Sequence, residues 1–167
     1  MKSILCIDPS IRSLGWAVFN LYEDYGVLVN VGYIKDTKRD WIYRVDAFVN
    51  ELYDLFADRS LNLILIEQPC VYHTGSGAVA SNAESIMKLS SFVFAVRQMF
   101  LDYCDAEIKL ITPRRWKGTC PKIITKKRIS KHWKFESDND DIIDATGIGD
   151  FWIRKKLKIK DLRNEIP

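Results

Sequence analysis

The stretch Ile4-Leu5-Cys6-Ile7-Asp8 decides the fold, because an unbroken apolar run ends there on a single acid. A second stretch, Leu63-Ile64-Leu65-Ile66-Glu67, repeats the arrangement. Uninterrupted apolar runs of this length are typical of strands buried on both faces of a central sheet. A carboxylate at the end of such a strand needs a partner, because a buried charge is costly. The two stretches therefore predict central strands that each end in an acid with a special role.

A third acidic stretch, Asp141-Ile142-Ile143-Asp144, lies far downstream. Its two acids are three residues apart, so both point to one face of a helix. Acids in a first helical turn also serve as start signals, and Asp138 or Asn139 can cap this helix. Asp144 lies deeper and borders small residues, Ala145, Gly147 and Gly149, which let the helix approach a sheet closely. Four converging carboxylates would repel each other without cations, so the pattern predicts Mg²⁺ or Mn²⁺ among them.

The remaining pattern predicts a mixed five-stranded sheet flanked by helices in a single domain, residues 1–167. The other strands are expected at 16–19, 27–34 and 107–111. Helices are expected at 41–56, 82–103, 125–133 and 140–157, with Pro113 as the first residue of a further helix. Residues 69–81 are small and flexible, and they predict a long loop of the kind that often carries function.

Charge is unevenly distributed along a chain whose net charge is only +3. Residues 113–134 carry cations and no acid, whereas residues 136–150 carry acids and no Lys or Arg. A nuclease needs both, because cations hold phosphates and carboxylates hold metal ions. Two solvated charge runs of opposite sign would give the same pattern.

The four cysteines form no CxxC pair and lack a companion His cluster. Zinc binding and a disulfide framework are therefore not expected, which suits a reducing compartment. The first strand begins at once, which leaves no room for a signal peptide, and no apolar run approaches the ~18 residues of a membrane span. The expected location is cytoplasmic, in a bacterium or a phage-infected host cell.

Five stretches in order carry a resemblance to a known family. They are Ile7 to Val18, Ile66-Glu67-Gln68, Asn82 to Leu89, Pro113-Arg114-Arg115-Trp116-Lys117 and Asp141-Ile142-Ile143-Asp144-Ala145. Together they resemble the motifs of the RuvC-type Holliday junction resolvases of the RNase H-like superfamily, particularly the short phage forms. The resemblance implies an RNase H-like α/β fold. In it the first three strands are antiparallel and the first, fourth and fifth are parallel.

The resemblance also implies an activity, a Mg²⁺-dependent crossover junction endodeoxyribonuclease that hydrolyses phosphodiesters with two metal ions, for which Mn²⁺ would substitute. It makes Asp8, Glu67, Asp141 and Asp144 the metal-binding catalytic carboxylates, with Asp8 between the ions and Lys117 near the scissile strand. The implied partners are a second copy of the chain and branched DNA, mainly four-way junctions. The expected DNA-binding residues are Tyr72, His73, Arg114, Arg115, Lys122, Lys126, Lys127, Arg128 and Lys131.

The chain departs from the family pattern at two places. Ser10 stands where the family has a glycine after Asp-Pro, and Cys70 stands where bacterial members place an aromatic wedge. Tyr72, just beyond, either stacks on an unpaired base or packs in a dimer interface. Asp138 or Asp140 can replace or assist Asp141. The exposed face of the helix at 82–103 is the expected dimer contact.

Other functions fit parts of the sequence. Asp8-Pro9-Ser10 distantly resembles the first phosphate loop of actin-like ATPases, but that fold needs a second nucleotide loop and usually twice this length. A non-cleaving protein that binds junctions would use the basic stretch, although unpaired acids would weaken its binding to DNA. An RNase H-like nuclease that acts on flaps, forks or RNA would use the same metal site.

Overall fold

The structure is a computed structural model that describes residues 1–70 and 78–166, with the backbone alone at 78–82. In chain order it contains β1 (Lys2–Pro9), β2 (Ser13–Leu21), β3 (Tyr25–Lys35), α1 (Trp41–Phe56), β4 (Leu63–Glu67), α2 (Ala78–Tyr103) and β5 (Glu107–Ile111). There follow α3 (Pro113–Trp116), α4 (Lys122–Trp133), α5 (Asp140–Phe151), a π-helical turn (Trp152–Lys156) and β6 (Asp161–Asn164). None of the helices in the described ranges is both long and apolar enough to cross a membrane.

The strands form one mixed sheet in the order β5-β4-β1-β2-β3-β6. As predicted, β1 pairs antiparallel with β2, and β2 with β3. Also as predicted, β4 is parallel to both β1 and β5. Because β1 and β4 run in the same direction with Ile7 opposite Ile66, their carboxyl ends meet at the same edge of the sheet.

Strand β1 is buried on both faces, as its unbroken apolar run predicted. Ile4 and Cys6 pack into a core beneath α4 and α5. Leu5 and Ile7 point the other way, into a second core built with α1 and α2. The sheet thus separates two apolar layers, and any polar group on β1 must lie at an end of the strand.

Three predictions about the elements were incomplete or wrong. The sheet has a sixth strand, β6, parallel to β3 at the edge of the sheet, which the short sequence Asp-Leu-Arg-Asn did not indicate. Helix α2 begins at Ala78, so residues 78–81 are helical and the expected loop at 69–81 is too long. The helix expected at 140–157 ends as an α-helix at Phe151 and continues as the π-helical turn.

Candidate metal and DNA site

The site begins with the two acids that follow the central strands. Asp8 and Glu67 lie level with each other at the carboxyl ends of β1 and β4, one residue past the pair Ile7 and Ile66. The two carboxyl groups are close enough for the charge of Glu67 to raise the pKa of Asp8. Parallel strand order is therefore enough to bring residues 59 positions apart in sequence to one point.

Helix α5 brings the third and fourth acids to the same edge. Asn139 caps the helix, and its side chain accepts hydrogen bonds from the backbone N–H groups of Asp141 and Ile142, at 2.9 and 3.2 Å. A Cβ atom placed on Gly15 would lie 2.1 Å from the backbone oxygen of Asp141, so only glycine allows this approach. Because Gly15 pairs with Asp8 across β1 and β2, the contact sets the helix against the sheet beside the first acid.

Asp144 lies one turn further along α5 and is buried. Its Oδ2 atom accepts a hydrogen bond from Lys117 Nζ at 3.1 Å, and Lys122 Nζ lies 3.6 Å away. Its Oδ1 atom is buried with no hydrogen-bond partner among the described residues. A buried carboxylate oxygen without a hydrogen-bond partner is costly, and such atoms are typical of sites that bind an ion or another ligand.

Glu67 is held by a tryptophan. The indole Nε1 of Trp116 donates a hydrogen bond of 2.5 Å to Glu67 Oε2, and Lys117 Nζ lies 4.0 Å from the same oxygen. Trp116 itself is buried against α5, since a Cβ on Gly147 would lie 2.5 Å from its ring. Trp116, the last residue of α3, therefore orients Glu67, and Lys117, the residue after this helix, contacts Asp144.

The electrostatics of the site follow from this crowding. Burial raises the pKa of Asp8 well above its usual range, and the charges of Glu67, Asp144 and Asp141 raise it further, while Lys117 lowers it. Burial also raises the pKa of Glu67, although Lys117 and the Trp116 hydrogen bond oppose the rise. Carboxyl groups this close hold a proton between them unless cations are supplied.

No protein-family model matches the chain. A curated relative, the crossover junction endodeoxyribonuclease RuvC of a Nitratiruptor species, is 26% identical over 90 residues, which is 54% of this chain and 52% of that protein. The match thus spans about half the length of the curated relative.

Solved structures match over nearly the whole chain. T. thermophilus RuvC in complex with a Holliday junction substrate has a TM-score of 0.66 at 17% identity, over 92% of this chain and 96% of that one. The yeast mitochondrial Holliday junction resolvase has a TM-score of 0.62 at 16% identity, over 94% and 80%. The fowlpox virus resolvase bound to Holliday junction DNA has 0.57 at 15% identity, over 93% and 99%.

The chain has the RuvC-type RNase H-like fold. The fold that the resemblance of the five sequence stretches implied is therefore confirmed. With this fold the edge of the sheet that carries Asp8 and Glu67 faces the start of α5.

The RuvC-type site fits divalent metal ions by its donor chemistry. All its acidic donors are carboxylate oxygens, the ligands that Mg²⁺ and Mn²⁺ prefer, and Asp144 Oδ1 has no other partner among the described residues. In the described part of the chain no three His, Cys, Asp or Glu side chains form a ready-made metal cluster, so the ligand role of the acids stays a prediction. Lys117 instead contributes a positive charge near Glu67 and Asp144.

The other acids near the start of α5 differ from Asp144. Asp140 is half exposed and pairs with Lys122 and Lys126 at 3.2 and 3.0 Å, so it fixes α4 to α5. The hydrogen bond from Lys126 lowers the pKa of Asp140. Asp138 is exposed before the helix. The charge of Asp141 acts on Asp8, and the expected contribution of Asp138 or Asp140 stays a prediction.

The predicted DNA-binding residues fall into three groups. Tyr72 and His73 lie outside the described residues. Arg114, Arg115, Lys127 and Lys131 are exposed. Lys122, Lys126 and Arg128 are engaged with acids, Arg128 with the buried Asp150 at 3.3 Å. Their role toward DNA stays a prediction.

Sequence reasoning missed two residues that build the site. Trp116 was quoted only as part of a motif, and Gly15 only as part of another. A signal existed for Trp116, because a tryptophan beside Lys117 needs a partner for its N–H when it is buried. Nothing in the sequence identifies the acceptor as Glu67.

Proposed function

We propose that the chain is a structure-specific DNA endonuclease that resolves four-way junctions. The observation that carries the proposal is the convergence of Asp8, Glu67 and Asp144 at one edge of a RuvC-type sheet, with an unpartnered oxygen on Asp144 among the described residues. The relatives of the same fold support it, since two of them were solved with Holliday junction DNA. The whole of residues 1–167 would form one nuclease domain.

In this proposal Asp8, Glu67, Asp141 and Asp144 hold two Mg²⁺ ions, and Mn²⁺ substitutes. The chemistry that such ions supply is an ionised water near neutral pH and positive charge for the departing 3′ oxygen. Asp8 lies beside Glu67 at the end of the central strand β1, and the charges of the other three acids act on it, so its loss would cost the most activity. Trp116 would orient Glu67 through its hydrogen bond to Oε2.

Lys117 has two duties in the proposed mechanism. Its ammonium group lies 3.1 Å from Asp144 Oδ2 and 4.0 Å from Glu67 Oε2, where it compensates their charges. From this position it would also contact the phosphate at the scissile bond of a bound strand. A lysine suits both duties because its flexible stem carries a single compact charge with three donors.

A second copy of the chain is part of the proposal, because a four-way junction has two opposed strands to cut. Helix α2 exposes three apolar side chains seven residues apart, Met87, Phe94 and Leu101. This spacing places them on one helix face, and such a stripe is typical of a helix that packs on another subunit. We expect Phe94→Glu to convert a dimer to a monomer in light scattering, whereas Tyr43→Glu on α1 should not.

The experiment that tests the function compares three labelled DNA substrates: a synthetic four-way junction, a fork and a linear duplex. Cleavage is followed with and without Mg²⁺, with Asp8→Asn as the inactive control. We expect Mg²⁺-dependent cutting of the junction that Asp8→Asn abolishes. Equal cutting of linear duplex would remove the branch-specific claim. Junction binding without cleavage would favour a non-cleaving architectural protein.

A separate readout tests the metal site without catalysis. Ions that bind only the folded protein raise its unfolding free energy, by about 2.7 kcal/mol at a concentration 100 times the Kd. We expect Mg²⁺ and Mn²⁺ to raise the Tm of the wild-type protein and to leave that of Asp8→Asn almost unchanged. An equal rise in both proteins would place the ions elsewhere.

A further inference from the structure

A groove next to the candidate site is lined mostly by cations. It has a volume of about 350 Å³ and lies between α3, α4 and the π-helical turn. We call it the basic groove; its cations besides Lys117 are Arg114, Arg115, Arg128, Arg154, Lys155 and Lys156. The last three follow the acidic stretch in sequence and belong to no motif identified above.

The basic groove is continuous with the carboxylate site. Trp116 and Lys117 line the groove, and the same two side chains contact Glu67 and Asp144. A strand whose phosphate lies at the carboxylates therefore meets Lys117 first and the basic groove next. This path leads away from Asp8 along one side of α3.

The positive charge of the groove is available to a ligand. Arg114, Arg115, Lys155 and Lys156 are exposed, and none forms an ion pair with a residue in the described ranges. The one acid of the groove, Asp150, is only 2% exposed and is compensated by Arg128. Within the described part of the chain, the groove thus keeps a strong positive potential with no internal counter-ion at its mouth, which attracts polyanions.

The π-helical turn explains how three consecutive cations reach one wall. Ile153 is fully buried within the turn and fixes it to the core. Arg154 is held by a contact of 2.9 Å between its Nη1 atom and His132 Nδ1. Lys155 and Lys156 are the last two residues of the π turn, and both side chains are exposed. Single π turns inside helices are frequently found at functional sites.

We propose that the basic groove binds the phosphate backbone of the DNA arm that leaves the cleavage point, with Lys155 and Lys156 as its outer contacts. The proposal rests on the proposed nuclease function and extends it to a second contact region. Phosphate contacts fix the register and orientation of the duplex without reading its sequence. The groove would thereby hold one arm of the branched DNA while the crossover lies at the carboxylates.

The test measures binding apart from cleavage. A fluorescent four-way junction is titrated in EDTA by anisotropy at several salt concentrations, with wild-type protein and with Lys155→Gln/Lys156→Gln. Log affinity falls as log salt rises, and each lost phosphate contact makes that slope less steep by roughly 0.9. We expect the double variant to make the slope less steep by about 2 and to raise the Kd by about tenfold near physiological salt. Lys155→Arg/Lys156→Arg should keep both values.

A matched control removes the same charge at the opposite edge of the sheet. Lys2 and Arg59 are exposed there, near the amino ends of β1 and β4. Lys2→Gln/Arg59→Gln should leave the slope unchanged and the Kd within about twofold. If the two double variants weaken binding equally, or if neither does, the basic groove is not a contact region.

Cleavage in Mg²⁺ separates this proposal from the nuclease proposal. At saturating protein, the control Lys2→Gln/Arg59→Gln should cut the junction at a single-turnover rate within about twofold of wild type, whereas Lys155→Gln/Lys156→Gln should need about tenfold more protein to reach half of its own maximal rate. A wild-type protein that cuts no junction would refute the proposed function. A wild-type protein that cuts, together with a double variant of unchanged affinity and slope, would overturn only the groove.

Discussion

Asp144 and Asp150 lie on the same helix and are almost equally buried, with 6% and 2% of their surface exposed. Asp150 has partners for both oxygens: Trp133 Nε1 donates a hydrogen bond of 3.1 Å to Oδ1, and Arg128 Nε lies 3.3 Å from Oδ2. Asp144 has an oxygen with no partner among the described residues. Burial alone therefore does not distinguish the structural acid from the functional one, whereas the set of donors does.

The surroundings explain why one helix holds both kinds of acid. Near Asp150, cations and N–H donors from α4 surround a single carboxylate, so its charge is compensated within the fold. Near Asp144, two further acids come from the ends of β1 and β4, and the site has more negative charge than its lysines compensate. The first arrangement fastens α4 to α5, and the second needs cations from outside.

The largest expected effect is on cleavage. Asp144→Asn should lower the rate of junction cleavage by at least about 10³-fold, which corresponds to about 4 kcal/mol of lost transition-state stabilisation. The matched variant Asp150→Asn should stay within about tenfold of wild type, because Asp150 contacts no other acid of the site. Single-turnover cleavage of a labelled junction measures both. Equal losses would mean that the two aspartates do not differ as described.

The two variants should rank in the opposite order when the free energy of unfolding is measured, with Asp150→Asn losing more than Asp144→Asn. Asp150→Asn removes the charge that compensates Arg128 and should lower the free energy of unfolding by about 3 kcal/mol, the cost of breaking a buried ion pair. Asp144→Asn reduces repulsion among acids and should not lower it. Urea denaturation in EDTA measures both, and a loss of stability in Asp144→Asn as large as in Asp150→Asn would contradict the comparison.

A third change acts on the approach of α5 to the sheet. Gly15→Ala places a methyl group against the backbone of Asp141 and should push α5 outward. A misplacement of about 1 Å costs on the order of 10²-fold in rate, so cleavage should fall by about that factor. Gly26→Ala is the control, because its nearest neighbours lie 3.3 to 3.5 Å from the added atom. Full activity of Gly15→Ala would show that the approach is not needed.

The smallest effect concerns pH and the metal-free protein. Burial and the neighbouring acids give Asp8 a higher pKa in the folded state than in the unfolded state, where it is about 3.9. The folded state therefore binds the proton of Asp8 more tightly than the unfolded state does. The stability that this proton contributes is complete below about pH 4 and is lost as the pH rises through the folded pKa. In EDTA, wild type should therefore lose stability relative to Asp8→Asn on going from about pH 4 to about pH 8. Parallel pH profiles of Tm would contradict the raised pKa.

Most of the fold followed from local pattern. The apolar runs at 4–7 and 63–66, the helical period of 41–56 and the proline at 113 predicted elements that the structure contains. The sequence also indicated Asp8, Glu67 and Asp144 as candidate acids, because each follows a buried strand or lies within a helix, where a carboxylate is costly; their role as metal ligands stays a prediction. Strand β6 was missed, because a short polar edge strand has no pattern of its own and forms only where β3 offers a free edge.

The sequence by itself indicated that Asp8, Glu67 and Asp144 are unusual, since each follows a buried strand or borders small residues within a helix, but it did not indicate that Asp150 is buried. Only the tertiary structure decided which acid contacts which cation. Asp150 and Asp144 differ because α4 provides donors to one, while β1, β4 and α3 place acids and Lys117 beside the other. Partners of this kind come from distant parts of the chain, and electrostatic energy depends on distances in space that sequence spacing does not contain.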